Sequence, residues 1–196
     1  LADKAKILET NSDEEAKWIS TGIKCPFANP RQVNGEDSFR SSSKESIDCK
    51  RFPLKVNYFK KSSLSVLSHS VNSELLFSNY LFKSEVNTPY IEHCNKLFHY
   101  ISGLIKLNDK DLIVDIGGND GTLLSVFKAA SDLKLDFLNI DPSKNLAQIS
   151  INKGIPVLNE FFSLETSYIV EKKAKVITST NVFQHLRDIN SFAKGV

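Results

Sequence analysis

The chain has 196 residues, 41% of them hydrophobic and 24% charged, with 25 Lys and Arg against 23 Asp and Glu for a formal charge of +2. That length allows one domain with a sizeable core plus an appendage, or two small domains. The balanced charge argues against nucleic acid or a membrane surface as partner and for a small molecule or a protein.

No apolar run is long enough to span a bilayer, and Leu1-Ala2-Asp3-Lys4 opens without the apolar region of a signal peptide, so the chain reads as cytoplasmic. Cys25, Cys49 and Cys94 are odd in number and widely spaced, which offers neither a disulfide framework nor a Cys-x-x-Cys metal knuckle. The absence of methionine, even as a start residue, suggests a processed or partial version of a longer product.

Residues 1–53 form a polar, partly irregular N-terminal segment. Ser12 and Glu15 make a capping box that predicts a short helix carrying Ala16, Trp18 and Ile19. Pro26, Pro30, Gly35 and the stretch from Ser38 to Ser46 read as loop. Residues 54–108 form a small α+β module with connecting helices. Leu54-x-Val56-x-Tyr58-Phe59 and Leu64-x-Val66-Leu67 suit two short strands, and 72–82 suits one or two helical turns. Thr88 as N-cap with Pro89 after it opens a stronger helix, with Cys94, Leu97, Phe98, Ile101, Leu104 and Ile105 on one face; Cys94 is read as packing.

From residue 109 to 196 strand and helix patterns alternate. Strands are expected at 112–116, 137–140, 155–158 and 175–179, with helices at 121–133, 143–153, 164–172 and 182–193. Strands separated by helices imply right-handed crossovers and a Rossmann-like, doubly wound parallel sheet. Only four strands are visible, so the sheet is expected to be partial.

The first strand feeds a glycine-bracketed loop, Asp115-Ile116-Gly117-Gly118-Asn119-Asp120-Gly121, and then a helix. Gly117 and Gly121 permit a tight turn and close backbone approach to a ligand; an ordinary strand-to-helix turn is the plain alternative. The dinucleotide fingerprint G-x-G-x-x-G is not met, because Ile116 stands two before Gly118. NAD loses ground accordingly. Asp115 and Asp120 would repel a pyrophosphate but suit a ligand with a cationic centre and an amine, as in S-adenosylmethionine. Asp141 closes the second strand 24 positions past Gly117. It could accept from ribose hydroxyls or support the next helix dipole; with Ser143 available as cap, ribose is favoured.

Together with Ile140-Asp141-Pro142-Ser143, Gly154-Ile155-Pro156-Val157-Leu158-Asn159-Glu160-Phe161-Phe162 and Thr180-Asn181-Val182-Phe183-x-His185-x-x-Asp188-Ile189-x-x-Phe192, this loop resembles the class I S-adenosylmethionine (SAM) dependent methyltransferases that C-methylate nucleotide-linked deoxysugars. The resemblance covers about 54 to 196. It implies that Asp115, Gly117, Asn119, Asp120 and Gly121 hold the methionine part of SAM and Asp141 the ribose. Asn159 and Phe161 would lie near adenine, with core packing the alternative for Phe161. Asn181 and His185 would lie where the methyl meets its acceptor, and His185 can take a proton near neutral pH.

Leu75-Leu76-Phe77-Ser78-Asn79-Tyr80 matches a family stretch that reaches toward the sugar, making Tyr80 a candidate substrate contact or a packing residue. Phe59 and Ser62 occupy the positions of the family's last zinc-binding cysteines, so the small module is expected to hold no metal. The implied reaction is deprotonation beside a keto group and attack of the carbanion on the SAM methyl. Competing readings are a SAM-binding module without turnover, and methylation of oxygen or nitrogen on another small molecule.

Overall fold

Alternating residues in the first part of the chain build short antiparallel ladders rather than a helix. The computed structural model describes residues 6–7, 16–19, 55–80 and 82–196, which divide into two units between Leu81 and Phe82. In the first unit β1 (Lys6–Ile7), β2 (Ala16–Ile19), β3 (Val56–Phe59), β4 (Leu64–Leu67) and β5 (His69–Ser70) are followed by helix α1 (Ser73–Phe77). The expected hairpin is present, with Val56 opposite Leu67 and Phe59 opposite Leu64. β2 lies antiparallel on the other edge of β3, and β1 pairs with β5.

Ala16–Ile19 is therefore a strand, and the helix expected there is corrected. A few residues of helix cannot repay nucleation, whereas the open edge of β3 supplies backbone partners to a stretch with Trp and Ile. The capping positions Ser12 and Glu15, and the loop expected from 26 to 46, lie outside the described residues. α1 starts where Asn72 Oδ1 accepts from the Glu74 N–H at 3.0 Å.

The second unit begins with a 3₁₀ turn at Ser84–Val86 and helix α2 (Thr88–Leu104). The cap falls one residue earlier than expected: Asn87 Oδ1 accepts from the Tyr90 N–H, so Thr88 is already helical. Cys94 and Phe98 are buried on the expected face, but Leu104 is 64% exposed at the point where the chain leaves the helix. This helix, grouped in the sequence with the small module, belongs to the second unit: Cys94 and Phe98 pack with Leu123, Leu124 and Phe127.

The sheet follows. Its strands are β6 (Leu112–Ile116), β7 (Asp136–Ile140), β8 (Val157–Leu158) and β9 (Ala174–Thr178), parallel in the order β8-β7-β6-β9. Between them run α3 (Thr122–Ala130), α4 (Lys144–Asn152) and α5 (Leu164–Ser167); after β9 come a 3₁₀ turn at Phe183–His185 and α6 (Ile189–Gly195). Every residue of β6 is buried. Ile113 faces the cluster of α2 and α3, while Leu112, Val114 and Ile116 face Phe192 of α6. Alternate side chains thus anchor two opposite cores, which is the doubly wound α/β architecture read from the sequence.

The last two helices are shorter than expected. Past Ser167, Tyr168 and Ile169 are exposed, so no packing extends α5. The expected 182–193 helix is broken because Asp188 Oδ1 accepts from the Ser191 N–H at 2.8 Å and restarts the helix. Among the described residues no helix is long and apolar enough to cross a membrane.

Phe127 is fully buried and its ring lies 5.2 Å from that of Phe98. Phe127→Ala should cost about 3–5 kcal/mol. Tyr168→Ala, at a side chain 77% exposed, should stay within about 0.5 kcal/mol. Chemical denaturation followed by circular dichroism measures both.

Candidate cofactor site

β6 lies between strands that leave in opposite directions, β7 and β8 on one side and β9 on the other. Its carboxyl end is the switch point at which sheets of this kind open a crevice. The loop leaving it takes left-handed backbone at alternate residues: Gly117 (φ 71°), Asn119 (φ 55°) and Gly121 (φ 73°). Asn tolerates this conformation better than most residues with a Cβ, so Asn119 fills the middle position of a glycine-like repeat. A Cβ on Gly117 would lie 2.2 Å from Val182 Cγ2. The turn after β9 is thereby pressed directly on the loop after β6.

Asp141 connects three loops. It is 6% exposed. Its Oδ2 accepts from the Asn119 N–H and its Oδ1 from the Ser143 N–H, each at 2.8 Å. Its backbone oxygen accepts from Asn159 Nδ2 at 2.7 Å. Each carboxylate oxygen keeps a further lone pair. Ser143 stands at the N-cap of α4, but its hydroxyl makes no capping bond; the expectation that it would relieve Asp141 of helix duty is corrected, since Asp141 receives the Ser143 N–H itself.

Asn119 and Asp120 are engaged by the chain. Asn119 Oδ1 accepts from the N–H groups of Ser84 (3.1 Å) and Asp120 (2.9 Å), while its Nδ2 donates to Phe82 O at 2.9 Å. Asp120 is fully buried. Its Oδ2 accepts from the Glu85 N–H at 3.0 Å, and its Oδ1 accepts from the Thr122 N–H and hydroxyl at 3.1 and 2.7 Å. Lys153 Nζ lies 3.5 Å from Asp120 Oδ1 and 3.2 Å from Glu85 Oε2. These bonds clasp residues 82–85 onto the loop.

Asp115 is buried at the end of β6, where its Oδ1 accepts from Thr178 Oγ1 at 2.8 Å. Burial pushes its carboxyl up to about 7, with Asp141 adding to the shift and Thr178 opposing it. Burial also raises the Tyr90 phenol and the Cys94 thiol. Tyr90 shares a hydrogen bond with Thr180 Oγ1 at 3.3 Å.

The remaining candidates lie on the loops after β8 and β9, apart from one. Asn159 and Phe161 are exposed beyond β8, and Asn181, exposed and left-handed at φ 58°, follows β9. His185 is half-buried in the 3₁₀ turn, and burial holds its imidazole below the ordinary histidine range. Tyr80 belongs to the first unit, its ring 5.9 Å from Phe77. Sequence reasoning passed over Asn139, Thr178, Tyr90 and Val182. The signal available was a polar Asn139 inside the buried end of β7, two residues before Asp141.

Fold and loop define a Rossmann-like α/β unit with a glycine loop at the switch point of its sheet. The resemblance is carried by the C-methyltransferase NovU of Streptomyces niveus, 28% identical over 148 residues, which are 74% of this chain and 34% of that protein. The chain spans about a third of the length of that relative. No family model matches the chain. Solved structures similar to it include a SAM-dependent methyltransferase of Thiobacillus denitrificans in complex with S-adenosyl-L-homocysteine: 12% identity, TM-score 0.38, 52% of this chain and 44% of that one. Another is a SAM-dependent methyltransferase of Geobacter sulfurreducens in the same kind of complex: 14% identity, TM-score 0.37, 51% and 41%.

Gly117→Ala should destabilise the protein by about 1–3 kcal/mol through its backbone conformation, with a further cost from the clash with Val182. Val182→Ala removes the clashing methyl, and the next Val182 atom, Cβ, is at an ordinary 3.5 Å. The double variant should therefore show favourable coupling of about 0.5 kcal/mol or more in a thermodynamic cycle.

Proposed function

We propose that residues 82–196 form the SAM-binding part of a methyltransferase whose acceptor is a carbon of a nucleotide-linked keto-deoxysugar. The observation that carries this reading is Asp141. A buried carboxylate at the end of the second strand, with one lone pair left on each oxygen after its backbone bonds, suits the two adjacent hydroxyls of a ribose. The C-methyltransferase relative supports the chemistry, and the four motifs in order support the acceptor class.

In this reading the backbone of Gly117–Gly121 holds the methionine part, Asp141 the ribose, and Asn159 and Phe161 the adenine. Asn119 and Asp120 keep the loop in shape, since their side chains serve residues 82–85 and Thr122. SAM, when bound, supplies an electrophilic methyl group. His185 is the proposed base: a neutral imidazole would take the proton beside the acceptor's keto group, so that the acceptor carbon could receive the methyl as S-adenosylhomocysteine leaves. Asn181 lies on the same turn region. The small module is proposed to hold no metal, with Phe59 and Ser62 where thiolates would be needed.

Calorimetric titration with S-adenosylhomocysteine should give binding that Asp141→Ala weakens at least about tenfold, which is about 1.4 kcal/mol. NAD binding in preference to S-adenosylhomocysteine overturns the cofactor assignment. Incubation with labelled SAM and nucleotide-linked keto-sugars should transfer label, and His185→Ala should abolish transfer while sparing cofactor binding. Binding without transfer would favour a binding module, and transfer to oxygen or nitrogen would reassign the acceptor. The low imidazole pKa sets a sign: His185 stays neutral, and transfer stays active, to a pH below the ordinary histidine range before falling on acidification.

A further inference from the structure

Two buried oxygens beneath the glycine loop lack donors. Asp115 and Asn139 stand opposite each other across β6 and β7, and neither side chain reaches solvent. The Asn139 amide is oriented by its nitrogen, which donates to the Asn119 carbonyl at 3.0 Å and to Ser150 Oγ at 3.2 Å. A carbonyl oxygen only accepts, so the amide cannot be turned over without breaking that bond. Asn139 Oδ1 is left without a partner, and so is Asp115 Oδ2.

The two oxygens both lie close to one point. A Cβ on Gly118 would lie 2.5 Å from Asn139 Oδ1 and 2.7 Å from Asp115 Oδ2. Two acceptors meeting without a donor are unfavourable in a dry interior. We propose that Asp115 is a carboxylic acid whose O–H donates to Asn139 Oδ1, forming a buried acid–amide pair under the loop. One proton taken from solvent satisfies both oxygens and removes an otherwise buried charge.

The groups around Asp115 favour the acid. Asp141 beyond β7 adds to the upward shift of Asp115, Thr178 on β9 is neutral, and Tyr90 and Cys94 on α2 are held in their protonated forms by burial. None of these carries a positive charge. Glycine at 118 fits the same packing, since a Cβ there would collide with both oxygens.

A folded carboxyl held above its unfolded value binds a proton that the unfolded chain lacks. Its stabilisation is complete below the unfolded value of about 4 and is lost as pH rises toward the folded value near 7. Asp115→Asn keeps an N–H donor facing Asn139 Oδ1 without a titrating group. Between pH 5 and 6.5 the wild-type unfolding constant should increase about tenfold more per pH unit than that of Asp115→Asn. Asp115→Val, with no donor, should unfold more readily than either at pH 5. Identical pH slopes for wild type and Asp115→Asn overturn the pair. In the unsubstituted protein, one carbon-13-labelled aspartate carboxyl should titrate near neutrality; every aspartate titrating below pH 5 overturns it as well.

Discussion

The second unit depends on the Asp141 carboxylate. Its two oxygens take backbone N–H groups from the loops after β6 and β7, and its own carbonyl takes the amide of Asn159 after β8. A buried charge is tolerable when hydrogen-bonded on this scale, because bonds to an ionised acceptor are shorter and stronger than neutral ones. The Gly117 N–H donates to Ile140 O at 2.7 Å, so sheet pairing continues into the loop itself. The loops after β6, β7 and β8 are thus held together at one edge of the sheet. The proposed ribose contact would be an additional use of a carboxylate that already ties these loops together.

The other polar residues of the loop show a division of labour. Backbone groups and Asp141 lie at the carboxyl end of the sheet, while the side chains of Asn119 and Asp120 are turned to the chain's own residues 82–85 and Thr122. Loops with three left-handed residues are costly to hold, and this one is held by side chains on both flanks: Ser150 beside Gly121 and Val182 beside Gly117. His185 depends on the same arrangement, since Val182 opens the turn that carries it and the His185 N–H donates to Val182 O. The His185 turn and the glycine loop are thus coupled through one valine.

Much of the sheet was legible because β6 is buried on both faces and reads as an apolar run broken only by Asp115, and because the helix after it carries Leu123, Leu124 and Phe127 on one face. The candidate loop was legible from its glycines and acids. What was not legible depends on partners distant in sequence. Ser12 and Glu15 form a correct local helix signal, but Ala16–Ile19 pairs with a strand some 40 residues later. Asn139 matters only because register sets it opposite Asp115. The carboxyl of Asp120 looks like a ligand in the sequence, and only the position of Glu85 reveals its use. The break before α6 could have been seen, since Asp188 followed by Ser191 three residues on is a capping pattern.

The clasp on residues 82–85 has a consequence for where the second unit begins. A version of the chain starting at α2 would retain the whole sheet and every residue assigned to cofactor or proton transfer. It would also strip the Ser84 and Glu85 N–H groups from Asn119 and Asp120, removing the clasp that braces the left-handed loop. The five residues ahead of α2's cap, which look like a linker, are therefore part of the loop's support.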